Sequence, residues 1–263
     1  MTQPGSRLAI VTGTSSGIGE AVALELLQRG WRVVGAARRR ATIDNPSYTH
    51  LRLDLADLTA TAAVVEEQVA SLVVDAAVRR LALVNNAAHV GLLGPVDLLD
   101  PQELLKVYMI NVAAPIWLMG WCVRRSRQDV PLRIVNVSSG AAVQPYPGLA
   151  AYCTSKAALR MAGMVLAAEL DTPTEPQGSR RDATILSFEP GTVDTPMQAS
   201  ARATRVETLP AREVFIRLAA EGRLAPPAAP AGEIAEYIEG DGHVRFTERR
   251  FSGSPRLSAP AAQ

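Results

Sequence analysis

An α/β domain on a doubly wound parallel sheet is what this sequence predicts, and three observations predict it. Short apolar runs alternate with longer amphipathic stretches, as strands do when crossover helices join them. A glycine-rich turn, Thr12-Gly13-Thr14-Ser15-Ser16-Gly17-Ile18-Gly19, links the first apolar run to the first amphipathic one. At 263 residues and 48% hydrophobic content, one domain can bury a substantial core.

Taken in order, Leu8-Ala9-Ile10-Val11 reads as a short buried strand, and Glu20 to Arg29 as an amphipathic helix stopped by Gly30. Seven strands are expected near 7–12, 31–37, 48–53, 81–85, 132–138, 183–188 and 243–246. Helices fit 17–29, 57–79, 101–128 and 150–170, with two or more pieces between 196 and 239. The stretch Thr172 to Arg181 reads as an exposed loop. Residues 1–251 form the expected single domain, without internal repeat or linker, and Ser252 to Gln263 reads as a disordered tail.

Composition narrows the function classes. A net charge of +1 gives no global reason to expect nucleic acid or membrane as a partner, and the basic spots Arg38-Arg39-Arg40 and Arg249-Arg250 are local. No apolar run approaches the roughly 18 residues that span a bilayer, and no signal-peptide pattern precedes the first strand, so a cytoplasmic protein is expected. Cys122 and Cys153 suggest no disulfide framework and no metal-ligand spacing. His50, His89 and His243 are scattered and read as surface or satisfied polar residues, so no metal site is expected.

The chemistry is carried by Ser139, Tyr152 and Lys156, thirteen and four residues apart. Residues four apart on a helix lie one turn above each other, so Tyr152 and Lys156 point into one site. A phenol titrates near ~10 and needs a nearby cation to act as acid or base at neutral pH. Lys156 supplies that cation, while Ser139, ending the apolar strand Ile134-Val135-Asn136-Val137, is placed to hydrogen-bond a carbonyl oxygen. An isolated tyrosine-lysine pair of this spacing is more often a solvated pair on a helix surface. The glycine turn has a plain alternative too, a tight turn and nothing more. In a strand-turn-helix context, however, its glycines let the backbone approach a pyrophosphate at the helix start.

Gly13, Gly17 and Gly19, with Asn85-Asn86-Ala87-Ala88, Asn111, Ser139, Tyr152-x-x-x-Lys156 and Pro190-Gly191, resemble the short-chain dehydrogenase/reductase family from about residue 7 to 250. Ala88 is a departure, since glycine is usual there. The resemblance implies a Rossmann-like fold and a catalytic set of Asn111, Ser139, Tyr152 and Lys156. It further implies that Gly13, Ser15, Ser16, Gly17, Ile18 and Gly19 cradle a dinucleotide that Tyr152 and Lys156 also touch. Asn86, Ala87 and Ala88 would line it, and Asp54, with Leu55, would meet the adenine. Pro190, Gly191, Val193 and Thr195 would meet the nicotinamide amide. Asn111 would hold a water linking Lys156 to solvent. Each has a duller reading: Asp54 as a helix cap near Asp57, Asn111 as a helix interruption, Pro190-Gly191 as a bare turn.

Coenzyme choice turns on the end of the second strand. Enzymes that prefer the unphosphorylated coenzyme generally place a carboxylate about 20 residues past the glycines. Here Ala37 and Arg38 stand there, and a guanidinium suits a 2′-phosphate, so NADP(H) is expected. Alternatively, Arg38 to Arg40 form only a solvated basic turn.

Gln144-Pro145, Asp194-Thr195-Pro196-Met197-Gln198, Glu221-Gly222-Arg223-Leu224 and Gly242-His243-Val244-x-Phe246 look like the sepiapterin reductase and benzil reductase branch. That branch's sepiapterin reductases carry an aspartate after His-Val that anchors the pterin's guanidine-like edge. This chain has Arg245 there, which would repel such an edge if it faced the pocket. The pocket candidates Val90, Leu92, Val143, Tyr146, Leu149, Met197 and Phe215 are apolar or aromatic, or equally core residues. An NADPH-dependent reductase of a hydrophobic or aryl ketone or α-diketone is therefore expected. A 3-oxoacyl or polyketide ketoreductase or an alcohol dehydrogenase is the alternative, and a non-catalytic dinucleotide sensor the remote one. By analogy the helices at 101–128 and 150–170 pack subunits into a homodimer or homotetramer.

Overall fold

Seven parallel strands form one sheet, in the spatial order Tyr48–Arg52 (β3), Arg32–Ala37 (β2), Ser6–Thr12 (β1), Val78–Asn85 (β4), Leu132–Val137 (β5), Ala183–Glu189 (β6) and Phe246–Arg250 (β7). The computed structural model describes residues 6–172, 181–210 and 212–253. The expected loop between Thr172 and Arg181, and all of the expected tail beyond Gly253, lie outside the described residues. The strand order reverses between β1 and β4, and the crevice at such a switch point is where ligands bind in open α/β sheets.

The central strands are buried along nearly their whole length, which explains their continuous apolar runs. On one face, helices Gly17–Gln28 (α1) and Ala228–Glu239 (α8) bury Val22, Leu26, Ile234 and Ile238 against Val11, Val84 and Val135. On the other, Leu58–Val74 (α2), Ala114–Arg125 (α4) and Ala150–Asp171 (α5) bury Val65, Val69, Leu118, Trp121 and Leu159. Each such side chain contributes about 1.5–3 kcal/mol by leaving water. Pro101–Tyr108 (α3), Pro196–Ala203 (α6) and Arg212–Ala220 (α7) complete the helices among the described residues.

Three boundaries differ from expectation. The helix expected at 57–79 ends at Val74, because Asp75 turns the chain by accepting from the Ala77 amide at 2.9 Å and β4 starts at Val78. The helix expected at 101–128 is interrupted by a π-helical turn, Met109–Ala113, and ends at Arg125. The last strand is Phe246–Arg250 rather than 243–246. Gly242 takes a left-handed φ of 71° and the His243 ring stacks on Tyr237 at 4.2 Å, so pairing begins only with Phe246 opposite Ile185.

One further correction concerns apolar runs. Pro101–Arg125, with a mean hydropathy of 1.3, is long and apolar enough to cross a membrane by length and composition. In the fold this stretch covers the sheet, with Leu118, Met119, Trp121 and Cys122 buried in the core.

Candidate active site

The glycine turn leaves β1 at Thr12. Gly13 and Gly17 take left-handed φ angles of 78° and 65°, which side chains with a Cβ resist. Asn86, just past β4, holds the turn: its Nδ2 donates to the Thr12 carbonyl at 2.9 Å. In return Thr12 Oγ1 accepts from the amides of Asn86 and Ala87, both at 3.0 Å. Ser16 occupies the N-cap position of α1 without capping it through its side chain, so first-turn N–H groups remain for an anion.

A cleft of about 1140 Å³ opens along the carboxyl ends of the strands. Gly13, Ser15, Ser16, Gly17, Ile18, Arg38, Asp54 and Leu55 line it, as do Asn86, Ala87, Ala88, Pro190, Gly191, Val193 and Thr195. Ser139, Tyr152 and Lys156 line its other half together with Val90, Leu92, Val143, Tyr146, Leu149, Met197 and Phe215. Two expected residues do not line it. Gly19 packs beneath the turn, where a Cβ would meet Asn86 Nδ2 at 2.3 Å and the Gly13 carbonyl oxygen at 2.4 Å. Asn111, buried in the π turn, donates from Nδ2 to the His89 carbonyl at 2.8 Å and to Ser155 Oγ at 2.9 Å. Its Oδ1 accepts from the His89 amide at 2.8 Å. The side chain clamps the loop after β4 to α5.

Lys156 is 2% exposed, and its Nζ donates to the Val137 carbonyl at 2.8 Å while lying 5.6 Å from the centre of the Tyr152 ring. Burial pushes Lys156 down to about 8. Burial likewise pushes Tyr152 up to about 12, outweighing the opposing hydrogen bond with Ser139. The phenol therefore holds its proton at neutral pH. Ser139 Oγ also accepts from the Ala141 amide at 3.2 Å.

The coenzyme half fits a nicotinamide dinucleotide. Its glycines leave a cradle that Cβ atoms would fill, and two buried polar atoms of cleft-lining residues, Thr192 Oγ1 and Gln198 Nε2, have no protein partner. Thr195 caps α6, its Oγ1 accepting from the Gln198 amide at 3.3 Å. Asp54 accepts from the Ala56 amide at 3.1 Å, whereas the cap of α2 is Asp57. Arg38 and Arg39 are exposed at the cleft rim.

Arg245 is elsewhere. It pairs with Asp171 at 3.0 Å and donates to the carbonyls of Arg181 and Ala183 at the amino end of β6, the opposite edge of the sheet from the cleft. The expected repulsion of a donor-rich ring therefore does not operate. Instead Glu189 and Arg250, which sequence reasoning missed, line the cleft. Glu189 was legible as the last residue before Pro190-Gly191. Arg250 was hidden by the misplaced last strand. Of the histidines, His89 meets Glu103 at 2.8 Å and His243 meets the Tyr237 carbonyl at 2.9 Å. Among the described residues no cluster fit for a metal ion occurs.

A dinucleotide cradle with one proton donor and one buried cation at its far end is the layout of an oxidoreductase, and comparison with known proteins agrees. The chain belongs to the short chain dehydrogenase family, which it matches over residues 7–206. It is 33% identical over 241 residues to a benzil reductase ((S)-benzoin forming) of Bacillus cereus, covering 89% of this chain and 94% of that one. It is 28% identical to the sepiapterin reductase of Xenopus tropicalis, covering 91% of this chain and 94% of the relative. Among solved structures, the KRED1-Pglu enzyme superposes with a TM-score of 0.77 at 27% identity, over 92% of this chain and all (100%) of that one.

Proposed function

We propose that this chain is an NADPH-dependent carbonyl reductase acting on a hydrophobic or aryl ketone or α-diketone. The observation that carries the proposal is the convergence of Ser139, Tyr152 and Lys156 on one cleft with the glycine turn. When bound, the coenzyme supplies the hydride. Gly13, Ser15, Ser16, Gly17 and Ile18 would hold its pyrophosphate, Arg38 a 2′-phosphate, Asp54 and Leu55 the adenine, and Val193 and Thr195 the amide. Thr192 Oγ1 and Gln198 Nε2, which have no protein partner, would be further polar groups for a ligand in this cleft. Ser139 would hydrogen-bond the carbonyl oxygen and Tyr152 would protonate it, a role suited to a phenol that stays protonated. Lys156 would contact the ribose and resupply positive charge beside the phenol.

The substrate preference draws support from the apolar lining and from the benzil reductase relative. The ketoreductase alternative shares the catalytic groups. We also infer a cytoplasmic homo-oligomer. Leu105, Tyr108, Ile116, Met161, Met164 and Val165 stand exposed on α3, α4 and α5, an apolar face suited to a second copy. Both cysteines are free thiols, consistent with a reducing compartment. Turnover of benzil, a phenyl alkyl diketone, sepiapterin and a 3-oxoacyl thioester, each with NADPH and NADH, tests the reading. Thioester turnover without diketone turnover would replace it.

A further inference from the structure

We propose that Glu189, paired with Arg250, grades affinity among the ketones this site accepts, favouring one that carries a hydroxyl or N–H donor beside its carbonyl over an otherwise matched one that does not; this rests on the carbonyl reductase reading. The two residues are cross-strand neighbours at the carboxyl ends of β6 and β7, and both line the cleft. Glu189 Oε1 lies 3.4 Å from Arg250 Nε. A Cβ built on Gly140, the residue after Ser139, would stand 3.2 Å from Glu189 Oε1 and 3.6 Å from the Tyr146 hydroxyl. The carboxylate is thus one residue away from the serine assigned to the carbonyl oxygen.

An ionised carboxylate only accepts hydrogen bonds, and it has about four sites to fill. The arginine occupies one side of Glu189. Val143, Leu149, Met197 and Phe215, which offer no side-chain donor, line the same cleft, as does Tyr146, whose hydroxyl donates to Gln144 at 3.2 Å. A wholly apolar ketone filling that space displaces water without replacing its hydrogen bonds, which costs binding. A ketone with its own O–H or N–H restores one, and a substrate bearing a carboxylate there meets a like charge. At the Tyr146 phenol burial is the main cause of a raised pKa, Arg250 lowers it, and the carboxylate of Glu189 adds to the rise. Arg245, across the sheet, does not oppose it.

Binding of matched ketones to the protein loaded with oxidised coenzyme, where no hydride is available, tests the proposal apart from turnover. Acetophenone and α-hydroxyacetophenone are titrated against wild type, Glu189→Gln and Glu189→Ala. Wild type binds the hydroxy ketone about tenfold tighter, as a charge-assisted hydrogen bond of roughly 1.5–3 kcal/mol allows. Glu189→Ala brings the ratio near one and Glu189→Gln leaves it in between, with coenzyme affinity unchanged in both. Equal affinity for the two ketones in wild type, no binding of either, or a ratio unmoved by Glu189→Ala overturns the proposal. A normal binding ratio without turnover on reduced coenzyme would instead contradict the reductase reading and uphold the role of Glu189.

Discussion

Asn86 occupies the space that a side chain on Gly19 would need. The amide nitrogen lies 2.3 Å from a Cβ built there, and the Gly13 carbonyl oxygen 2.4 Å from it, although Gly19 itself has no left-handed φ. Close approach of backbone, not conformational freedom, therefore requires glycine at this position.

Gly19→Ala should accordingly displace either the turn or Asn86. We expect a stability loss of about 1–3 kcal/mol, as for other overpacked sites. Dinucleotide affinity should fall with it. Thermal unfolding and coenzyme titration check this, and an alanine variant with wild-type values in both would show that the turn is not braced as described.

Tyr152→Phe removes the proton donor and keeps the ring. Coenzyme affinity should stay within a few-fold while kcat for reduction drops at least about 100-fold, the usual minimum for a lost general acid. A phenylalanine variant that turns over normally would remove Tyr152 from the mechanism.

Arg38→Asp places a carboxylate where a 2′-phosphate is proposed to sit. The ratio of kcat/KM for NADPH over NADH should fall by at least about tenfold, given roughly 1.5–3 kcal/mol for a charge-assisted contact. An unchanged ratio would mean that Arg38 is only a solvated residue at the rim.

The pH profile follows from two opposite shifts. Lys156 is lowered to about 8, so its positive charge is present below that pH and lost above it. Tyr152, raised to about 12, keeps its proton throughout that window. Reductive kcat/KM should therefore be level through neutral pH and decline as pH rises past about 8, with the lysine as the titrating group. A decline only near the ordinary lysine value, about 10.4, would show that burial does not control this group.

Local patterns made part of this site readable. The glycine turn and the helical spacing of Tyr152 and Lys156 are fixed within a few residues, so sequence sufficed to bring them to one cleft. A helix interruption at Asn111 was legible only as an alternative to an unbroken helix, and its partners, His89 and Ser155, come from other elements and leave no local trace. The misreading of Arg245 is one of register. Phe-Thr-Glu-Arg-Arg is too charged to announce a strand, and its pairing with β6 begins at Ile185 opposite Phe246. That register sends Arg245 to one edge of the sheet and Arg250 to the other.

The most direct test of the central claim is steady-state reduction of benzil by the purified protein, with NADPH and NADH in parallel and Tyr152→Phe as control. Turnover with NADPH, weaker turnover with NADH and near-silence from the variant are the predicted result. Benzil reduction that prefers NADH, or that survives the loss of the Tyr152 hydroxyl, would contradict it.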